Sequence, residues 1–325
     1  MAIRRTGLAS LSIEPLTPGL TFGARVEGLR LCDLADKQIT DKLRSLWIER
    51  GVLLFTGIEP SRPMHLELSR CFGSLEAHPL KASYTSDNDE ITKIGYSPSE
   101  STVYEVDGRP RGGWLPWHSD LVYVAQINRG GILRPIALPD SGGETGFIDQ
   151  IAAYEVLPQR LKQRIEGLHV AYRLDLDATH QRFGQKAHVK LIRLSPSTIN
   201  AIQSAVGQPA ALHPMVYEQA ETKRKVLNIS PWFATGIHEL QGPEGDDLLA
   251  EVIEYGLRDD LAYFHEWKSL DEMLLWDNWR MVHCANGVPA HLSRSMERTT
   301  IAGDYALGRW QDSAWVDDGA AVVMV

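Results

Sequence analysis

The chain has 325 residues, 43% hydrophobic and 23% charged, with a formal net charge of −9, the balance of an ordinary soluble globular protein. The acidic excess argues against a general nucleic-acid binder, which would carry a basic face, but leaves room for a local cationic pocket. No apolar run approaches the roughly 20 residues that span a bilayer, the opening MAIRRTGLASLSIEPL lacks the apolar core of a signal peptide, and the three unpatterned cysteines (Cys32, Cys71, Cys284) suit a reduced cytoplasm and offer no zinc knuckle.

In chain order, LSIEPLTPGLTFGARVEGL reads as short strands broken by Pro and Gly. TDKLRSLWIERG predicts a helix capped by Thr40, with Leu43, Leu46 and Trp47 on one face and Gly51 as its stop. VLLFTG follows as a buried strand. SRPMHLELSRCFG predicts a second helix with Ser61 as cap and Pro63 in its first turn. The polar stretch 85–111, punctuated by Gly and Pro, reads as a long loop and a candidate lid over a site.

Beyond it the texture is short strands between Gly, Pro and Asp turns: WHSDLVYV, GGILRPIAL, GLHVAYRL, RKVLNI, AYFHEWK, EMLLWDNW and RTTIAGDY. Helical patterns intrude only at IAAYEVLPQRLKQRIEGL and GDDLLAEVIEYGL. Many strands with few helices predict a mainly β sandwich or barrel with flanking helices. No internal repeat or low-complexity linker divides the chain, so one domain over 1–325 is expected. The tail 306–325 ends in apolar residues suited to packing on another subunit, consistent with a homo-oligomer, dimer or tetramer.

Within GGWLPWHSDLVYV, His118 and Asp120 stand two apart where a strand is expected, so both would face one side. The pattern alone is weak, because 11 histidines among 42 acidic residues give roughly one or two such pairs by chance. The other instance, His65/Glu67, falls on a helix, where i and i+2 diverge, and reads as a solvated face.

A metal site needs a third ligand, and His180, His188, His213 and His283 are all available. His283 closes the apolar run of LLWDNWRMVHCANG. Two histidines and one carboxylate with open positions form the facial triad of non-haem iron(II) oxygenases. Arg294 and Arg298 fall four apart on a strand-like run, hence on one face. Such forks pair with carboxylates and are costly to bury without an anion. Cys284, next to His283, would point to the opposite face and reads as a packed free thiol.

His118-Ser-Asp120, the turn PDSGGETGF, the strand WDNWRMVH and the run SRSMERTTIAGD together resemble the taurine dioxygenase (TauD/TfdA) family of Fe(II)- and 2-oxoglutarate-dependent dioxygenases. IEPLTPGLTFGARVEGLRL, RGVLLFTGIEPS and RCFGSLEAHPL extend the likeness over about residues 11–305. It implies a double-stranded β-helix, the cupin-like jelly roll. It also implies a reaction consuming 2-oxoglutarate and O2, giving succinate and CO2 as a C–H bond of a small organic anion is hydroxylated. The implied iron ligands are His118, Asp120 and His283. Thr145 and Arg294 fall on the clamp for the distal carboxylate of 2-oxoglutarate, and Arg298 on a second arginine near the active-site anions.

His78 and Phe233 fall on substrate-pocket positions. Lys81 and Trp114 stand where the taurine enzyme has a tyrosine and an asparagine, which reshapes the pocket and turns expectation from taurine toward an aryloxyalkanoate, alkyl sulfate or larger alkylsulfonate. Trp114 also reads as a core residue, and Lys81 as a surface one. Asp120 argues against the halogenating relatives, in which a small residue replaces the carboxylate. Two other readings stay open: a zinc-dependent hydrolase on the same triad, with no use for a diacid clamp, and a non-catalytic jelly-roll module that binds small anions.

Overall fold

The computed structural model describes residues 11–77, 84–85, 88–185 and 187–313. Among them the strands make one sheet of nine and one of six, with smaller sheets of four and two. The larger sheet runs Ser12–Pro15, Ala24–Glu27, Val52–Thr56, Met273–Asp277, Gly130–Ala137, Arg294–Ile301, Asn88–Tyr96, Tyr84–Thr85, with Leu75–Glu76 attached to the Arg294 strand. The smaller runs Val189–Arg193, Val103–Val106, Arg109–His118, Met281–Pro289, Thr145–Asp149, Ala262–His265. All pairings are antiparallel except that of Ala24–Glu27 with Val52–Thr56. Mostly antiparallel strands in two facing sheets, with helices outside, form the double-stranded β-helix that the sequence predicts.

The central strands of the larger sheet are buried on both faces, which is why VLLF and MLLW are continuously apolar rather than alternating. Leu53, Phe55 and Leu275 face outward to Ile39, Leu43, Trp47, Met64 and Leu68 of the helices Lys37–Arg50 and Arg62–Arg70. Their neighbours Leu54, Leu274 and Trp276 face inward to Phe147, Met281 and Met296. A third cluster seats the helices Gln150–Glu155, Gln159–Ile165 and Pro243–Gly256 against the smaller sheet. Arg280 is fully buried and bonds both oxygens of Asp149 at 2.7 Å and the carbonyls of Ile48 and Glu49. It thus ties the first helix to the end of the strand Thr145–Asp149, which pairs with the strand of His283. Among the described residues no helix is long and apolar enough to cross a membrane.

Several local expectations are corrected. The first helix is capped by Asp36, whose side chain accepts from the Gln38 amide; Thr40 lies inside it and donates to the Lys37 carbonyl. Ser61 does cap the second helix, accepting from the Met64 amide. The expected loop 85–111 is mostly strand: Asn88–Tyr96, Val103–Val106 and Arg109–His118 occupy it. Its polar composition suits Asn88–Tyr96 and Val103–Val106, each of which lies next to the outermost strand of its sheet. The helical pattern at 151–168 is two helices, because Pro158 cannot supply the amide that would join them. PSTINAIQS is an unforeseen helix, capped by Ser195. His65 is fully buried rather than solvated, and its Nε2 donates to the Ile132 carbonyl at 3.0 Å.

Candidate metal centre and adjoining cavities

His118, Asp120 and His283 converge, each offering a ligand atom within 4.8 Å of the others. Three neighbouring strands create the alignment. Phe147 stands opposite His283, and His283 opposite His118, so the three side chains form a row across the smaller sheet. His283 is the third residue of the strand Met281–Pro289, after a turn at 278–280, and not the end of a strand continuous with LLWD.

Asp120 reaches the group by a different route from the one its spacing predicts. The strand ends at His118, and Asp120 begins a turn in which Leu121 adopts φ +58°. That left-handed conformation is costly for a leucine and marks a held turn. Asn278 holds it: its Oδ1 accepts from the Asp120 amide at 2.8 Å and its Nδ2 donates to the Asp120 carbonyl at 3.0 Å. The same Nδ2 lies 3.2 and 3.1 Å from two oxygens of Asn128. Ser119 is fixed as well, donating from its hydroxyl to the Met281 carbonyl.

The electrostatics suit a cation. His118 Nδ1 lies 2.8 Å from the Pro116 carbonyl, which can only accept, so Nδ1 carries the proton and Nε2 keeps its lone pair. Burial lowers the His118 pKa, and burial with the neighbouring His118 lowers that of His283 to about 3. Both shifts favour the neutral ring, the form that binds metals. Asp120 Oδ1 lies 3.9 Å from His118 Nε2 and 3.7 Å from His283 Nε2.

Two chambers meet at this group, between the two large sheets. The smaller, about 230 Å³, is lined by Leu133, Thr145, Phe147, Trp276, Arg294 and Arg298. Arg294 is sunk in it, with Nε and Nη2 buried and lacking any partner among the described residues, and burial brings its pKa down to about 10. Gly143 (φ +85°) lets the side chain pass, since a Cβ there would stand 3.3 Å from Arg294 Cδ and Nε. Two unsatisfied charged donors in a closed chamber are the mark of a site for an anion. Two imidazoles, a carboxylate and an empty anion clamp on one chamber fit a divalent metal and a chelating acid.

The larger chamber, about 480 Å³, is walled by Tyr104, Trp114, Tyr123, Leu176, Trp232 and Phe233. Arg298 borders both chambers, and its Nη1 lies 3.1 Å from Asp120 Oδ2.

Of the predicted site residues, His118, Asp120, His283, Thr145, Arg294, Arg298, Trp114 and Phe233 all face the two chambers. His78 and Lys81 lie outside the described residues. The rival histidines are elsewhere: His180 is exposed and paired with Asp175, His188 is exposed, and His213 is buried between Tyr305 and Val124. Cys284 is a buried free thiol with its pKa pushed up to about 12 by burial. Sequence reasoning missed Asn278, whose place in WDNW just after a buried strand was the available signal. It also missed Tyr104, Tyr123, Leu176 and Trp232, for which no local pattern existed.

The family model for the taurine catabolism dioxygenase TauD, TfdA family matches residues 12–300. An (S)-phenoxypropionate/alpha-ketoglutarate-dioxygenase of Sphingobium herbicidovorans is 30% identical over 311 residues, 91% of this chain and 96% of that protein. An alpha-ketoglutarate-dependent 2,4-dichlorophenoxyacetate dioxygenase of Cupriavidus pinatubonensis is 28% identical over 301 residues, 91% of this chain and 99% of its own length. The crystal structure of a taurine dioxygenase from Burkholderia xenovorans superposes with a TM-score of 0.71 at 21% identity, covering 97% of this chain and 99% of that one, and supports the fold.

Proposed function

The chain belongs to the taurine catabolism dioxygenase TauD, TfdA family and is a 2-oxoglutarate-dependent dioxygenase, and from that footing we propose the residues, metal and substrate class of its reaction. The metal is iron(II), held by Nε2 of His118, Oδ1 of Asp120 and Nε2 of His283. When bound, iron(II) supplies the dioxygen chemistry by which 2-oxoglutarate becomes succinate and CO2 while one substrate C–H becomes C–OH. The protein supplies orientation and exclusion of water.

Arg294 and Thr145 take the distal carboxylate of 2-oxoglutarate, which directs the keto-acid end toward the triad. Buried Phe147 and Trp276 close that chamber to water. Arg298, on the seam, pairs with Asp120 and meets the substrate anion. The substrate is an aryloxyalkanoate, its ring seated among Trp114, Trp232 and Phe233 and its carboxylate toward Arg298. The cavity volume, within the usual range for a drug-sized ligand, and its aromatic walls favour this over the small sulfonate taurine. Hydroxylation at the carbon bearing the ether oxygen gives a hemiacetal, which separates into a phenol and an oxo acid.

One observation carries the reading: the chamber holding the Arg294 donors that lack partners among the described residues and the aromatic chamber both border His118 and Asp120 of one His-Asp-His group. We further take the whole chain as one domain working in the cytoplasm. It assembles as a homo-oligomer, in keeping with the exposed Ile192 on the outer strand Val189–Arg193. The test supplies iron(II), 2-oxoglutarate and air, and measures succinate and phenol with phenoxyacetate, phenoxypropionate, taurine and an alkyl sulfate in parallel. Phenol matched by succinate, absent in His283→Ala, is expected. Succinate stimulated only by taurine would refute the substrate class, and none above the His283→Ala background would refute the triad.

A further inference from the structure

We propose that Trp267 is a positioning residue for the distal carboxylate of 2-oxoglutarate, acting through the hydroxyl of Thr145; this rests on the cosubstrate reading above. Trp267 Nε1 donates to Thr145 Oγ1 at 3.1 Å. An indole nitrogen donates and never accepts, so this bond occupies a lone pair of the threonine oxygen and leaves its single proton free. Thr145 makes no other side-chain hydrogen bond among the described residues, and it lines the smaller chamber together with Arg294. The proton thus points to wherever an acceptor arrives. In that chamber the acceptor is the anion that Arg294 awaits.

A hydroxyl left to itself samples three rotamers and can spend its proton on a backbone carbonyl. Trp267 removes that freedom, and the fold in turn holds Trp267. His265 stands directly opposite Thr145 in the strand pair Thr145–Asp149 and Ala262–His265. Its ring meets the Trp267 ring edge-on, centroids 4.5 Å apart at 82°. His265 is itself buried, bonded through Nδ1 to the Tyr263 hydroxyl at 3.0 Å and lying 3.4 Å from Glu272. Tyr263, His265, Trp267 and Thr145 make a continuous series ending at the clamp. Trp267 is not among the residues that line the chamber; its effect passes through one oxygen atom.

The test is calorimetric titration of protein loaded with cobalt(II) in place of iron, so that nothing turns over. The probes are 2-oxoglutarate and 2-oxobutyrate, which share the keto-acid end but differ in the distal carboxylate. Trp267→Phe keeps a ring at this half-buried position and removes the donor. It is expected to weaken 2-oxoglutarate about fivefold, the size of one misdirected hydrogen bond, and to leave 2-oxobutyrate within about twofold of wild type. In a Thr145→Val background, Trp267→Phe should add nothing, because its route is gone. Equal weakening of both acids, an unchanged 2-oxoglutarate affinity, or a full extra loss on top of Thr145→Val would each overturn the proposal. If the Phe variant does not fold, Thr145→Ser decides: with the indole holding the oxygen it binds like wild type, and a fall to the Thr145→Val level overturns the idea. Arg294→Met binding 2-oxoglutarate as tightly as wild type would instead sink the cosubstrate reading itself.

Discussion

Arg298 Nη1 lies 3.1 Å from Asp120 Oδ2, on the opposite oxygen from the one nearest the two imidazoles. One carboxylate is therefore shared between a guanidinium and the space enclosed by the histidines. The guanidinium offsets part of its charge on the Oδ2 side, while Oδ1 is the oxygen nearer both imidazoles. The remaining Arg298 donors, Nε and Nη2, are buried and lack partners among the described residues. In the proposed reaction the same side chain supports a metal ligand and receives the substrate anion.

Arg298→Lys tests this double duty, because an ammonium is a point charge without the planar fork. Cobalt(II) affinity should fall about tenfold, as for loss of an outer partner of a metal ligand, and kcat/KM for the organic substrate on the order of 100-fold. Unchanged metal affinity in the Lys variant would show that Asp120 needs no such support.

Arg294 makes a prediction with two opposite signs. Its buried partnerless donors cost stability in the absence of an anion. Arg294→Met should therefore raise the Tm of the protein alone while raising KM for 2-oxoglutarate by about 100-fold or more, as expected for lost charge-assisted bonds. Thermal melts with and without 2-oxoglutarate check both halves. A lower Tm in the Met variant, free of cosubstrate, would mean that the guanidinium is satisfied by something else.

How much of this was legible beforehand depended on whether the information was local. Ser61 and Pro63 announce a helix by themselves, and the structure keeps them. Thr40 misled because Asp36, four residues earlier, is an equally good acceptor and wins the Gln38 amide. His118, Asp120 and His283 do come together, but by a route partly different from the expected one. Asp120 is not on the strand at all; a turn and Asn278, 158 positions away, bring it in. Of the strands within 85–111, Val103–Val106 and Arg109–His118 form a hairpin across Asp107-Gly108, a local signal that the polar composition masked. Asn88–Tyr96 was hidden because its partner Arg294–Ile301 is distant in sequence. The aromatic wall was hidden for the same reason: Tyr104, Trp114 and Trp232 become neighbours only after folding.

Asn278 carries the next prediction. Its carboxamide behaves like a short piece of backbone, accepting from the Asp120 amide and donating to the Asp120 carbonyl. Asn278→Ala leaves both groups buried and unmatched, at a cost of roughly 2–4 kcal/mol. Leu121, held at φ +58°, would relax, and Asp120 with it. The variant should lose cobalt(II) affinity between 10- and 100-fold. Asn278→Asp should do no better, because a carboxylate cannot donate to the Asp120 carbonyl. If stability drops while cobalt(II) binds as before, the turn is held by other contacts and the assignment of Asn278 as its support is wrong.

The last prediction concerns acid. His65 and His213 are buried and not part of the triad, bonded through Nε2 to the carbonyls of Ile132 and Val124, each at 3.0 Å. Burial pulls both pKa values down to about 4, against 6.5 for the exposed side chain. Above pH 6.5 neither the folded nor the unfolded chain protonates them, and they contribute no pH dependence. Between pH 6.5 and 4 the unfolded chain takes up these two protons and the folded one does not, so stability falls as pH falls, by roughly 1.4 kcal/mol per pH unit for each histidine. Other groups titrate in the same range, so the measurement is a difference. Urea unfolding of wild type and of His65→Gln and His213→Gln is compared at pH 7.5 and 5.0. Glutamine can still donate to the carbonyl but does not titrate, so each variant should lose less stability than wild type over that interval. Equal losses in all three proteins would mean that these imidazoles are already charged in the folded state.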